Sequence, residues 1–256
     1  MKKAIATLVA TISLAAPSLA QASVPTTLYD STPVAGTVSV PSLGPEAYSF
    51  NHIGNEVLLH AHNTNVRHVR VTMVSWACQT GSWTDGSCTT TPGTRFPASI
   101  TLHLYRYSRP DASGAFRPGR QITSVTKTFS IKFRPTSDPT DAQHRYMGSD
   151  GQFHNGIAQT ISFPLNVRLG NDVVWTVSYN TDHSGINPIG GNNSPLDSLN
   201  VGLSPTVQYG HDRFPGSLFW DTRDANQAHG SPFIPGKLNL DRGWTGYVPA
   251  ASFSTR

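Results

Sequence analysis

From Val38 onward, apolar residues recur at every second position along most of this chain. Val69, Val71 and Met73 share one face of a run whose other face carries His68, Arg70 and Thr72. The same period sets Val125, Phe129 and Ile131 against Thr126, Thr128 and Ser130. It also sets Val173, Trp175, Val177 and Tyr179 against Val174, Thr176 and Ser178. Successive side chains of a strand point to opposite faces, so this alternation marks antiparallel sheets covered on one side. It predicts strands over Thr37–Val40, Ala47–His52, Glu56–His62, Val66–Ala77, Ser99–Tyr107, Gln121–Lys132, Ala158–Leu165, Asp172–Asn180, Leu199–Leu203 and Thr206–Tyr209, with a turn through Ile53, Gly54 and Asn55.

No segment carries the period of a long amphipathic helix, and only Asp138–Tyr146 suits a helical turn. Polar loops rich in Gly, Asn and Asp occupy Arg109–Arg120, Thr136–Asn155, Asp182–Asp197 and Asp221–Gly236. Loops beyond about 12 residues are uncommon and are often functional. The expected fold is all-β: an antiparallel β-sandwich, jelly-roll-like, with long loops at its ends.

Composition agrees. Charged residues make up 13% of the chain, against roughly 25% in ordinary soluble proteins. Glu46 and Glu56 are the only glutamates, and Thr, Ser, Asn, Gly and Pro take the place of the helix-forming Lys and Glu.

The first 22 residues read as a signal peptide preceding a single domain over 23–256. Lys2 and Lys3 form a basic start, Ala4 to Ala16 an apolar stretch, and Ser18, Ala20 and Ala22 a small-residue cleavage site. The apolar run is too short to span a bilayer, which implies a secreted or periplasmic protein. Lys2 and Lys3 account for two of the formal charges in the net +4, and no Lys/Arg run remains. A nucleic-acid interface needs a basic stripe, so that partner is excluded. Cys78 and Cys88 are the only cysteines, and in an exported chain they are expected to pair. A hairpin turn at Asp85-Gly86 would set Cys88 opposite Trp83, so the bridge closes an irregular loop at a strand end.

The segments Ser75-Trp-Ala-Cys78 with a second Cys at 88, Tyr179-Asn-Thr181, Asp197-Ser-Leu-Asn200 and Gly243-Trp-Thr-Gly-Tyr-Val-Pro249 together resemble a group of uncharacterised secreted bacterial β-sandwich proteins. The resemblance implies export, one disulfide and a sandwich. It implies no activity and no catalytic residue.

Several residues could carry chemistry. His60-Ala-His62 on a strand would put two imidazoles on one face, about 6.6 Å apart along the chain, where zinc or copper could bind. Asp182-His183-Ser184 and Asp197-Ser198 hold the residue types of a serine hydrolase without its elbow motif. Glu46 and Glu56 flank the predicted turn and could face each other as a glycosidase pair. Asp221, Asp224 and Asn226, or Gly190 to Asn193 with Asp197, offer oxygens for calcium without matching a known loop. Trp83, Trp220, Trp244, Tyr146 and Phe153 lie in or beside loops, where aromatic faces stack on sugars or seal the core.

The pattern requires no cofactor, calcium and zinc being the two it could serve. It leads to a secreted, non-catalytic binding protein whose partner is a polysaccharide or cell-surface glycan. Its ligand residues would be Trp83, Tyr146, Trp220, Asp221 and Asp224. A secreted polysaccharide hydrolase or lyase and a self-associating surface protein remain open, as does the oligomeric state.

Overall fold

A computed structural model describes residues 27–184, 194–229 and 232–256; the expected signal peptide lies outside them, as does Gly190 to Asn193. The longer strands are β1 (Thr27–Asp30), β2 (His52–Leu58), β3 (Thr64–Ser75), β4 (Arg95–Arg106), β5 (Gln121–Lys132), β6 (Ile157–Leu169), β7 (Asp172–Ser178), β8 (Leu199–Ser204), β9 (Ser217–Trp220), β10 (Asn239–Arg242) and β11 (Ala251–Ser254). A four-residue helix, α1 (Pro45–Tyr48), precedes β2.

Among the described residues the strands build two seven-stranded antiparallel sheets and two separate two-stranded hairpins. In the first sheet β3 pairs along its whole length with β6, from Ser75 opposite Ile157 to Thr64 opposite Leu169. Its other edge is shared: β11 pairs with His68 to Val71 and β8 with Met73 to Ser75. The second sheet runs β10-β9-β2-β7-β4-β5.

Inward residues of both sheets meet in one cluster reaching from Leu28 to Phe253. Phe129 of the second sheet meets Phe163 of the first edge to face, with ring centroids 4.9 Å apart. The edge strands β5 and β6 are tied by a side chain. Gln159 donates to the Ser130 carbonyl at 2.9 Å and accepts the Lys132 N–H at 3.3 Å, so two exposed strand edges cover each other. Among the described residues no helix is long and apolar enough to cross a membrane.

The strongly alternating strands form where expected, and β5 has the predicted limits. Four departures matter for the site. Ala47–His52 is not a strand, because Pro45 opens a helical turn that Ser49, with φ 50°, closes. The predicted turn through Gly54 and Asn55 is the interior of β2. A Cβ on Gly54 would lie 1.9 Å from the Trp175 carbonyl oxygen, so this glycine serves close strand packing and not a bend. Strand β2 stops at Leu58, before the His60-Ala-His62 segment. Asp138–Tyr146 makes successive turns and no helix.

Candidate functional site

Three chain segments converge where β3 ends and β8 begins. Trp76 follows β3 directly, and its N–H donates to the Ser198 carbonyl at 2.8 Å, just ahead of β8. The chain then enters the loop closed by the Cys78–Cys88 disulfide, whose Cα atoms are 5.3 Å apart. Gly81 and Gly86 take positive φ there, Asp85 caps Ser87, and a bridge joins Thr80 to Thr89. The result is the irregular strand-end loop expected from the cysteine spacing. It lays Trp83 edge-on to Trp76, centroids 4.7 Å apart.

Helix α1 supplies the third wall. Ser198 hydrogen-bonds Glu46 through its hydroxyl. Gly44 lets the chain pass close by, since a Cβ there would fall 2.1 Å from Asn200 Oδ1. Asn200 in turn donates to Ser42 Oγ at 3.0 Å.

Two adjoining cavities result. One, of about 610 Å³, is lined by Glu46, Gln79, Trp83, His183, Asp197 and Ser198 among others. The second, of about 410 Å³, is lined by Ser42, Glu46, Tyr48, Trp76, Trp83 and Asn200 among others. Glu46 and Trp83 belong to both, so Trp83 stands between them. Among the described lining residues there is no Lys or Arg.

The electrostatics are acidic. Partial withdrawal from water raises the Glu46 pKa; hydrogen bonds from Ser198 and Trp83 oppose this, and the Asp197 charge adds to it. Asp197 is also raised, by burial first, against the Ser194 N–H and the nearby His183. Asp197 Oδ1 and His183 Nδ1 are buried without a hydrogen-bond partner. Neither Ser184 nor Ser198 forms a Ser–His relay among the described residues: Ser184 Oγ donates to the Thr181 carbonyl at 3.2 Å, and Ser198 is engaged by Glu46.

Of the five ligand residues expected from sequence, Trp83 alone lines this cleft. Trp220 is 0% exposed and belongs to the core, where it meets Tyr48 and Trp244 at centroid distances of 5.8 and 5.1 Å. It therefore supports a cleft aromatic from beneath and offers no face to a ligand. Tyr146 is 2% exposed, with its hydroxyl on the Gly156 carbonyl and Arg134 over its ring. Asp221 is buried and accepts the N–H groups of Asn51 and His52 at 2.8 and 2.6 Å, fixing the entry to β2. Asp224 is buried and caps the turn at Asn226. These four are parts of the scaffold, because loop position in sequence does not fix exposure.

His60 and His62 are exposed, but they sit in the bend after β2, where the two-residue period of a strand no longer aligns them. The His60 ring packs against Tyr209. Among the described residues no group of three or more His, Cys, Asp or Glu is placed to hold a metal ion.

The Glu46/Glu56 pair does not form. Glu56 lies on β2 at 1% exposure, under Ser108, whose N–H and hydroxyl both reach it. Burial first, then the neighbouring Asp172, lifts its pKa to about 7. Asp172 Oδ1 lacks any other donor, which suits a protonated Glu56 shared with it.

A pH dependence follows. Glu56 binds its proton more tightly folded than unfolded, so its contribution is complete below the unfolded value of 4.5 and is lost as pH rises through about 7. His103, lowered to about 4 by burial and by His52, acts oppositely between there and 6.5. Above that range the carboxyl dominates. Stability read by chemical denaturation should fall from about pH 6.5 to mildly alkaline pH by somewhat under about 1 kcal/mol, and Glu56→Gln should flatten this decline. A decline unchanged in Glu56→Gln would remove Glu56 as its source.

The disulfide gives another prediction. A short closed loop contributes somewhat under about 3 kcal/mol, and here it also fixes Trp83. Cys88→Ser should lower thermal stability and weaken ligand binding at temperatures where the variant is still folded. Undiminished binding would mean that the loop holds Trp83 without its bridge. Trp76 precedes the cysteine pair and Trp83 lies between its members, and that spacing is the sequence signal for this site. Glu46 and Asn200 reach it only through tertiary packing. No protein-family model, curated protein or solved structure matches this chain.

Proposed function

We propose that this chain is an exported, non-catalytic binding protein that holds a polysaccharide in the cleft around Trp83. In this reading the scaffold is a β-sandwich of jelly-roll kind, supported by the core common to both sheets. Export is supported by the basic and apolar start of the sequence and by the disulfide.

The observation that carries the reading is the composition of one cleft. Trp83, Trp76 and Tyr48 stand beside Asn200 and Ser42, and on its other side Trp83 shares a cavity with Gln79. Sugar rings offer flat C–H faces to aromatic rings and hydroxyl rims to amide and hydroxyl groups, so such a wall suits them. The positions are held by strand ends and a covalent bridge, which limits the entropy lost on binding.

A hydrolase is the second reading. It is favoured by Glu46 and Asp197 on a single cavity, both with raised pKa, as a general acid requires.

Incubation of the mature protein with a panel of insoluble polysaccharides tests both. Depletion from solution without released fragments is the expected result. Fragments lost in Glu46→Gln would establish the hydrolase, and no depletion by any polysaccharide would overturn the glycan reading.

A further inference from the structure

Among its described lining residues the cleft has two carboxylates and no Lys or Arg. Asp197 is 5% exposed. Its Oδ2 accepts the Ser194 N–H at 3.2 Å, while Oδ1 has no donor. Glu46 stands on the same wall. The nearby guanidinium of Arg223 is directed to the backbone, with Nε 3.4 Å from the Ser49 carbonyl and Nη2 3.5 Å from that of Ser184. His183 borders the cavity but donates to neither carboxylate from its buried, unpartnered Nδ1. Asp197 Oδ1 is one of twelve buried side-chain polar atoms without a partner among the described residues, and it belongs to a residue that lines the cavity.

Resting on the glycan-binding reading, we infer that the cleft selects polysaccharides bearing free amino groups, their ammonium received by Asp197 and Glu46 beside Trp83. An ammonium brings three donors and a positive charge to this wall. Indole faces attract the same cation, and Trp83 borders the cavity that holds both carboxylates. An N-acetylated sugar brings no charge, and a uronic acid is repelled. Without Lys2 and Lys3 the formal charge of +4 falls by two and is still positive, so the overall field of the mature chain opposes a polycation. A preference for an amino glycan would therefore arise locally, at the carboxylates.

The test is a titration of the mature protein, followed by tryptophan fluorescence, with glucosamine hexasaccharide, its fully N-acetylated form and cellohexaose. It is run just below neutral pH at low and high salt. The amino form should bind about tenfold more tightly than the acetylated one. That gap should close at high salt and in Asp197→Asn and Glu46→Gln. Glu46→Gln keeps an oxygen acceptor for the Ser198 hydroxyl, and a parallel melting curve separates its effect on binding from any effect on folding. Equal affinities, a preference for the acetylated sugar, or a gap that survives both substitutions would overturn the inference. Binding of the neutral sugars alone would do so while the glycan reading stands, and binding of none would remove both.

Discussion

Trp83→Ala should abolish retention on polysaccharide and leave the fold intact. Trp83 sits in the disulfide loop, half-buried, with its ring packed on Trp76 and both cavities beside it. Removing such an aromatic anchor typically costs 2 kcal/mol or more of binding, roughly 30-fold in affinity. The loop itself is closed by the bridge and by its own turn hydrogen bonds, so the stability change should stay within about 1 kcal/mol. Trp83→Phe should restore part of the retention, since it keeps an aromatic face. Pull-down on insoluble glycan with a parallel melting curve reads both quantities. A variant that melts normally and is still retained would move the ligand elsewhere.

Trp220→Ala should act in the opposite way, through stability. The side chain is fully buried between the sheets and contacts Tyr48 and Trp244. Emptying a site of that size costs about 3–5 kcal/mol, a large share of the stability of a typical domain. Trp220 Nε1 has no acceptor, so Trp220→Phe removes an unsatisfied donor as well as volume and should cost far less. Chemical denaturation of the two variants checks this. Near-equal losses would mean that the indole makes a polar interaction the core does not reveal. Because Trp220 backs Tyr48, the alanine variant should also bind glycan less well wherever it remains folded.

The parts of the fold that were legible in the sequence are those where one face is covered and the other wet. Strands β4, β5 and the first half of β3 alternate cleanly, burying Val, Ile, Leu or Phe on one side only, whereas Val173 to Val177 of β7 are buried on both faces. Strand β2 was broken by a false turn. Its Gly54 and Asn55 are typical turn residues, yet here Gly54 admits the Trp175 backbone and Asn55 donates to Asp212 at 3.2 Å. Strands β9, β10 and β11 are too short to display a period. Their existence depends on partners far away in the chain, as when β11 fills the gap beside β3.

The site divides in the same way. The disulfide and Trp83 could be read from local spacing. Glu46, Asp197 and Asn200 could not be assembled, because a helical turn, a loop and a strand start meet there through the pairing of Ser42 and Leu43 with β8 and through the Ser198 and Asn200 hydrogen bonds. Trp220 and Tyr146 were misplaced for the converse reason: an aromatic residue beside a loop looks the same in sequence whether it faces water or the core.

The central claim is that a glycan occupies the cleft beside Trp83. The chain has five tryptophans, and each indole N–H gives one NMR signal. Titrating the labelled protein with glucosamine hexasaccharide should shift the Trp83 and Trp76 signals and leave those of Trp175 and Trp220 in place. An unchanged Trp83 signal, or shifts confined to the other indoles, would contradict the account.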